Sequence, residues 1–489
     1  MNLPGAPFSV LLPMILITWA CDSRADVAVT KTGESVVDTE ALTIWPEQQC
    51  AINGQAFQQE VLMTFQEYQY VTWYDKNRQV CLGRRHIPDG KWEVIRFSDY
   101  IFGAGDKNYR AHDAHNTISM GICPADGTIH LAFDHHMHRM NYRVSSKGAA
   151  TKPGSIKWTP ALFSKVHSVI GSRGLMTYPR FIITPDSKLQ LFYRAGNRGG
   201  LQARVIHDYD PDTGKWGGAR NIIADNGYTN YYTRYGTDGL LHLLFHWRGT
   251  GQLCYLFSDD QGKSWKLNGG KTILAADNRE NCVRTKNLGL VSVIRAEKAT
   301  HIMLGGQYMD SRSRPHQIVW HIPDHIEPSK PVDNRAVWGR QESRYHHYWR
   351  DENGSWHKSL LPGPVGNRAK LFFDSNDNAY AIFMVNQTDE WKYNIYFKKG
   401  DLVIATASAK SKWSDWKLIH REPGPFLNQA MFDDARWKTD GVLSVIVQNS
   451  TDSDYKNPPR TSKGKIDLTT KHVTPPTPLR ILDFKLDRK

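Results

Sequence analysis

TDGLLHLLFH, residues 237–246, joins a tight-turn signal to a short apolar strand, and the same pairing recurs along the chain. Asp-Gly favours a two-residue hairpin turn because both central residues need positive φ. The strand, LHLLFH from Leu241, has counterparts in QYVTWY from Gln69, IHLAFD from Ile129, LQLFYR from Leu189, HIMLGG from His301, AYAIFM from Ala379 and LSVIVQ from Leu443. These are seven copies, the first five at intervals of 52 to 60 residues and the last two at wider ones; HIMLGG is the weakest. Turn signals precede most of them, as in Ala125-Asp126-Gly127, Pro185-Asp186-Ser187, Asn376-Asp377-Asn378 and Thr439-Asp440-Gly441. Further strand-like runs, such as NTISMGIC and PRFIIT, lie ahead of the turns, so each repeat opens with a β-hairpin.

A second mark follows later in the repeat, a small polar turn ending in Trp. It is seen at Trp92, Trp158, Trp216, Trp356 and Trp413. SDDQGKSW, Ser258 to Trp265, fits the Asp-box pattern S-x-D-x-G-x-x-W, a turn between outer strands that packs its Trp and carries no chemistry. Seven repeats of four strands predict an all-β fold, a seven-bladed β-propeller of four-stranded blades over residues 26–489. A six-bladed propeller with an added sandwich domain is the competing architecture.

Composition agrees. The 489 residues include 16 Trp, 21 Tyr, 18 Phe, 38 Gly and 24 Pro, which suits many short strands and turns. The net charge of +13 suits a polyanionic partner. No basic run or nucleic-acid fold motif points to nucleic acid. Residues 1–25 read as a signal peptide: the apolar stretch from Val10 to Ala20 is too short to span a bilayer, so no transmembrane segment is expected. The expected location is secreted or periplasmic, with an outer-membrane lipoprotein anchored through Cys21 as the variant. Beyond Cys21 there are five cysteines. Disulfides Cys50–Cys81 or Cys254–Cys282 are conceivable, as are buried free thiols. A monomer is expected.

Residues equidistant from a hairpin turn face one another. Tyr178 and Arg194 flank Asp186 equally, His115 and His135 flank Asp126-Gly127, and Tyr232 and His246 bracket Asp238-Gly239. Three consecutive blades thus carry His/His, Tyr/Arg and Tyr/His at one end of the propeller, a funnel suited to an anion. The histidine density of DAHN and DHHMH makes a metal the rival reading. Alternation along a strand turns His135 and His136 to opposite faces, which opposes joint ligation.

At these residues the chain resembles the propeller-fold ulvan lyases, polysaccharide lyase family 25. The resemblance covers essentially the whole mature chain and rests on AHN (114–116), FDHH (133–136), TYPRF (177–181) and FYRAG (192–196). It implies β-elimination on ulvan, an acidic sulfated polysaccharide of rhamnose-3-sulfate and uronic acid. By the same motifs it implies His115 and Tyr178 as the acid/base pair, Arg194 as the group neutralising the uronate, and His135 assisting there. A further family tyrosine falls within Tyr231–Tyr235 and is assigned to Tyr232, because YTRY aligns with YPRF around Tyr178. The chemistry needs no cofactor; a structural metal ion occurs in some members, and its ligands are not assigned here. A non-catalytic glycan-binding propeller and a sialidase-like hydrolase are the alternatives. The latter needs three arginines, where the pattern offers one.

Overall fold

The computed structural model describes residues 27–43, 52–54, 61–103, 113, 115–169, 175–196, 202–225, 229–247, 250–275, 282–296, 302–326, 342–363, 365–387, 399–427, 429–450 and 475–488. The proposed signal peptide, Cys21 and Cys50 lie outside these residues. Seven small antiparallel sheets form a seven-bladed β-propeller. Blade 1 holds Leu62–Phe65, Tyr68–Tyr74, Gln79–His86 and Glu93–Ile101, paired in that order. Blade 2 is shorter, with Ile118–Ile122, Ile129–Phe133 and Tyr142–Val144. Blade 3 begins with Met176–Ile183, Leu189–Ala195 and Gln202–Asp210, and blade 4 with Thr229–Tyr235, Leu241–Trp247 and Gln252–Ser258. Blades 5 and 6 run from Met303 to Leu360 and from Lys370 to Phe426.

Six of the seven strand copies are the second strand of their blade. HIMLGG is the exception. It belongs to Met303–Met309, the first strand of blade 5, and the true counterpart is Pro315–His321. The sequence PHQIVWH carries polar His316, Gln317 and His321, yet all seven residues are buried. Blade stacking covers both faces of such a strand, so polarity alone hid it from the apolar pattern.

The last blade closes the ring with both ends of the described chain. Its order is Met431–Phe432, Val442–Gln448, Thr477–Arg488 and, outermost, Val27–Ala41. The terminal strands pair antiparallel from Val27↔Arg488 to Ala41↔Thr477. Asp433 locks this blade to blade 1. Its carboxylate accepts from the Thr64 backbone N–H at 2.9 Å, the Thr64 hydroxyl at 2.7 Å and the Gln69 amide at 2.9 Å.

Between blades the core is apolar. Phe192, Ile206, Leu241, Leu243, Leu256 and Trp265 pack together where blades 3 and 4 meet. Each such side chain contributes roughly 1.5–3 kcal/mol by leaving water. Trp265 ends the Asp box, whose Asp260 accepts from Ser258 and Ser264, so that motif is structural. Blades 2 and 3 approach closely at Gly121, where a Cβ would meet the Phe181 Cβ at 2.4 Å. Cys81, Cys123 and Cys254 are free thiols, so neither of the conceivable disulfides forms. No helix among the described residues is long and apolar enough to cross a membrane.

Candidate active site

The seam between blades 2 and 3 gathers the polar residues. The hairpin of blade 2 pairs Ile118 with Phe133, and continuing that register sets His115 against His136. Their rings lie 4.4 Å apart. The chain then crosses over: His136–His138 pairs with the first strand of blade 3, Thr177 opposite His136 and Met176 opposite His138. Backbone amide Met137 N–H donates to the Thr177 hydroxyl at 2.9 Å. This crossover carries His136 to Tyr178, at 6.3 Å between ring centroids, with His115 at 6.0 Å.

Tyr178 sits on a β-bulge. The pairing shifts between Thr177 and Arg180, and Tyr178 has φ 54°. A bulky residue in the left-handed region is rare and costs free energy, which makes the position a candidate for function. Bulges bend a strand and re-aim a side chain. The equal-offset pairing of Tyr178 with Arg194 is therefore off by one, since Arg194 pairs with Thr177. The two side chains still meet, the Arg194 guanidinium lying 5.1 Å from the Tyr178 ring centroid.

Asp113, which motif reading passed over, binds the two histidines together. It accepts from His115 Nδ1 at 2.5 Å through one oxygen and from His136 Nδ1 through the other. Burial would raise its carboxyl, but the two imidazole hydrogen bonds prevail and hold it well below the usual carboxylate range. His136 is lowered, by burial first, against the hydrogen bond to Asp113; His115 and Arg194 nearby add to the lowering. The polar atoms of Asp113, His115 and His136 lie within 4.8 Å of one another, so the same trio has the spacing of a metal site. A carboxylate and two imidazoles are ligands that zinc accepts.

His135 is placed elsewhere. Its ring is 1% exposed and its Nε2 accepts the Asn141 backbone N–H at 2.8 Å. Burial pushes it down to about 3. His135 lies in the link between Ile129–Phe133 and His136–His138, where Asp134 has φ 62°, and is buried there, while His136 begins the crossover strand at the site. Tyr232 is also separate from the ring cluster. It pairs with Leu244, the rung that Arg180 occupies opposite Phe192 in blade 3, each three residues before the last pair ahead of the hairpin turn. Its ring lies 5.3 Å from the Arg180 guanidinium and 5.8 Å from the Lys370 ammonium. It lines a channel cavity of about 240 Å³ with Arg180, Arg234, Gln307 and Asp434. His246 is fully buried.

Sequence pattern found one arginine near the site, and the structure gathers three. Arg194 and Arg204 face each other across adjacent strands of blade 3. Arg180 and Arg204 lie 6.0 and 5.4 Å from the Tyr231 ring. Burial raises the Tyr231 hydroxyl, and Arg180, Arg204 and Arg194 act against it. All three arginines are buried, which makes them a fixed source of positive potential behind the site.

Similarity to known proteins bears on the fold and the family. A 193-residue alignment is 31% identical to the long isoform of ulvan lyase from Alteromonas sp. (strain LOR), covering 32% of this chain and 19% of that protein. The corresponding isoform from Pseudoalteromonas sp. (strain PLSV) is 30% identical with the same coverage. The match thus spans about a fifth of the length of these curated relatives. Among solved structures, the polysaccharide lyase Uly1 superposes with a TM-score of 0.61 at 18% identity, covering 93% of this chain and 99% of that one. The ulvan lyase of family PL25 bound to -[GlcA(1-4)Rha3S]- gives a TM-score of 0.61 at 10% identity over 85% of this chain and 93% of that one. These superpositions carry the fold, and the sequence matches make the ulvan lyases its relatives. The model of the family described as "BNR repeat-containing family member" matches residues 68–362, more than half of the sequence, and the chain belongs to that family.

Proposed function

We propose that this protein is a polysaccharide lyase that cleaves ulvan by β-elimination. The observation that carries the reading is the meeting of His115, Tyr178 and Arg194 at one seam, from three separate segments. In the reaction the C5–H bond of a uronate breaks and its electron pair forms the C4=C5 double bond. The C4–O bond breaks in turn, and the departing oxygen takes up a proton. One group must act as base at C5 and another as acid at the leaving oxygen. An imidazole with a reference pKa near 6.5 and a phenol near 10 are a suitable pair. Arg194 opposes the charge that builds on the carboxylate as C5 loses its proton, and its planar fork fits both oxygens. Its buried neighbours Arg180 and Arg204 add to that field.

The expected product is an oligosaccharide with an unsaturated uronate at its non-reducing end. The basic balance of the chain suits a sulfated polymer as partner. Export to the periplasm or medium is part of the proposal, carried by the apolar N-terminal stretch and testable by fractionation. No cofactor is assigned to the chemical step. Incubating the purified protein with ulvan tests the activity: ultraviolet absorbance from the conjugated uronate must rise with time. No rise with ulvan would refute the reading, and release of a saturated reducing sugar alone would indicate a hydrolase.

A further inference from the structure

We propose that Asp113 is the positioning residue of this site, one carboxylate that sets the tautomer of two histidines at once. The inference rests on the lyase reading for its kinetic consequence, but its structural content stands apart from it. Each Asp113 oxygen serves a different ring, Oδ1 on His115 Nδ1 and Oδ2 on His136 Nδ1. An ionised carboxylate only accepts hydrogen bonds, so both Nδ1 atoms carry hydrogen. That leaves Nε2 as the basic nitrogen of each ring. Asp113 is itself held in place, since its Oδ1 also accepts the His115 backbone N–H at 2.9 Å and its carbonyl accepts the Asn116 N–H at 3.0 Å. Tyr74 secures the turn from blade 1 by donating its hydroxyl hydrogen to the Asn116 carbonyl at 2.9 Å. The carboxylate therefore has a fixed origin, and His136 reaches it from the strand that crosses toward blade 3.

The arrangement has a consequence for proton transfer. If His115 Nε2 takes the C5 proton, the imidazolium forms beside an ionised carboxylate that already faces its Nδ1–H. The carboxylate stabilises that cation and needs no reorganisation. Asp113 contributes one negative charge to two rings, so His136 serves as the neutral partner while His115 carries the proton. Asp113 touches neither the proton nor the sugar, and acts through the imidazoles.

Asp113→Asn tests this sharply. The amide offers one acceptor oxygen and one donating NH₂ where two acceptors are required. One of the two rings must then present an unprotonated Nδ1 and carry its hydrogen on Nε2. The measurement is ¹⁵N NMR of histidine-labelled protein without substrate, with His115→Ala and His136→Ala spectra assigning the two rings. Both rings are expected as Nδ1–H in the wild type, and one as Nε2–H in Asp113→Asn. On a polymer substrate the variant should lose turnover on the order of 10²–10⁴-fold, with KM changed much less, and Asp113→Glu should recover part of it. An Nε2–H tautomer for either ring in the wild type overturns the proposal, and that result needs no folded variant. Unchanged tautomers in Asp113→Asn overturn it as well. Histidine resonances that shift on chelation and return with zinc would assign the trio to a metal instead. A wild type with both rings as Nδ1–H that leaves ulvan intact would refute the lyase reading and leave the tautomer assignment standing.

Discussion

Replacing Arg194 with Met isolates the charge at this site. The side chain is 3% exposed, so a long apolar residue keeps most of the packing while removing the guanidinium. The guanidinium lies 5.1 Å from the Tyr178 ring centroid, which sets the length scale for charge developing beside that ring. Two unit charges about 5 Å apart in an effective dielectric of about 20 interact by roughly 3 kcal/mol. If the uronate gains its charge in the transition state, that energy is realised mainly there, and about two decades in turnover follow. Exposed charges are screened over about 8 Å at physiological ionic strength, buried ones much less. The assay is a salt series on wild type and Arg194→Met with a defined ulvan oligosaccharide, each taken to saturation. Salt should mainly raise KM in the wild type, through the diffuse basic surface. The variant should turn over about a hundredfold more slowly at every salt concentration. Arg194→Lys should fall between, since it keeps the charge and loses the planar fork. If Arg194→Met raised only KM, with turnover unchanged at saturation, Arg194 would be a substrate anchor and the neutralisation argument would fail.

His115→Ala and Tyr178→Phe should each cut turnover on the order of 10²–10⁴-fold with melting temperature little changed; wild-type rates in both would remove them from the chemistry. Treatment with EDTA should leave saturated turnover intact, and an activity lost to chelation and restored only by zinc would refute this. Asp433→Ala should destabilise the ring where it closes, because it strands donors from Thr64, Gln69 and Arg436. At roughly 1–3 kcal/mol per stranded donor the loss is several kcal/mol, readable by urea denaturation, and an unchanged midpoint would contradict the seam described here. Stability should also fall on mild acidification. Burial lowers His130, His135 and His242 to about 3. The unfolded chain takes up these protons from about pH 6.5 downward while the folded chain does not, so stability present above that pH is lost as pH falls toward the folded values. Each histidine contributes up to about 1.4 kcal/mol per pH unit, and a melting temperature flat between about pH 7 and about pH 5 would contradict it.

The propeller was legible in the chain because it is a local property repeated. A turn signal followed by a two-sided apolar strand needs only neighbouring residues, and the ring follows from stacking seven such units. The pattern failed at Pro315–His321, where polar residues are buried by adjacent blades rather than exposed. His115, Tyr178 and Arg194 were legible for the same reason, each lying near the open end of a hairpin whose turn the sequence marks. What the chain alone did not contain was the outcome of irregularities and of contacts between blades. The bulge at Tyr178 shifts its register by one residue, and Tyr232, at the same distance from its turn as Arg180, takes the rung of Arg180 and not that of Tyr178. The link at Asp134 and His135 buries His135, and the crossover of residues 136–138 brings the His136 ring to Tyr178. Asp113 and Arg180 lie within quoted motifs and Arg204 lies outside them, but what each meets, His136 for Asp113, Tyr231 and Tyr232 for Arg180 and Arg194 for Arg204, is settled only by the packing of strands and blades. Repeats are specified by short-range patterning, whereas this site is made at a seam, where only tertiary packing decides which side chains share a face.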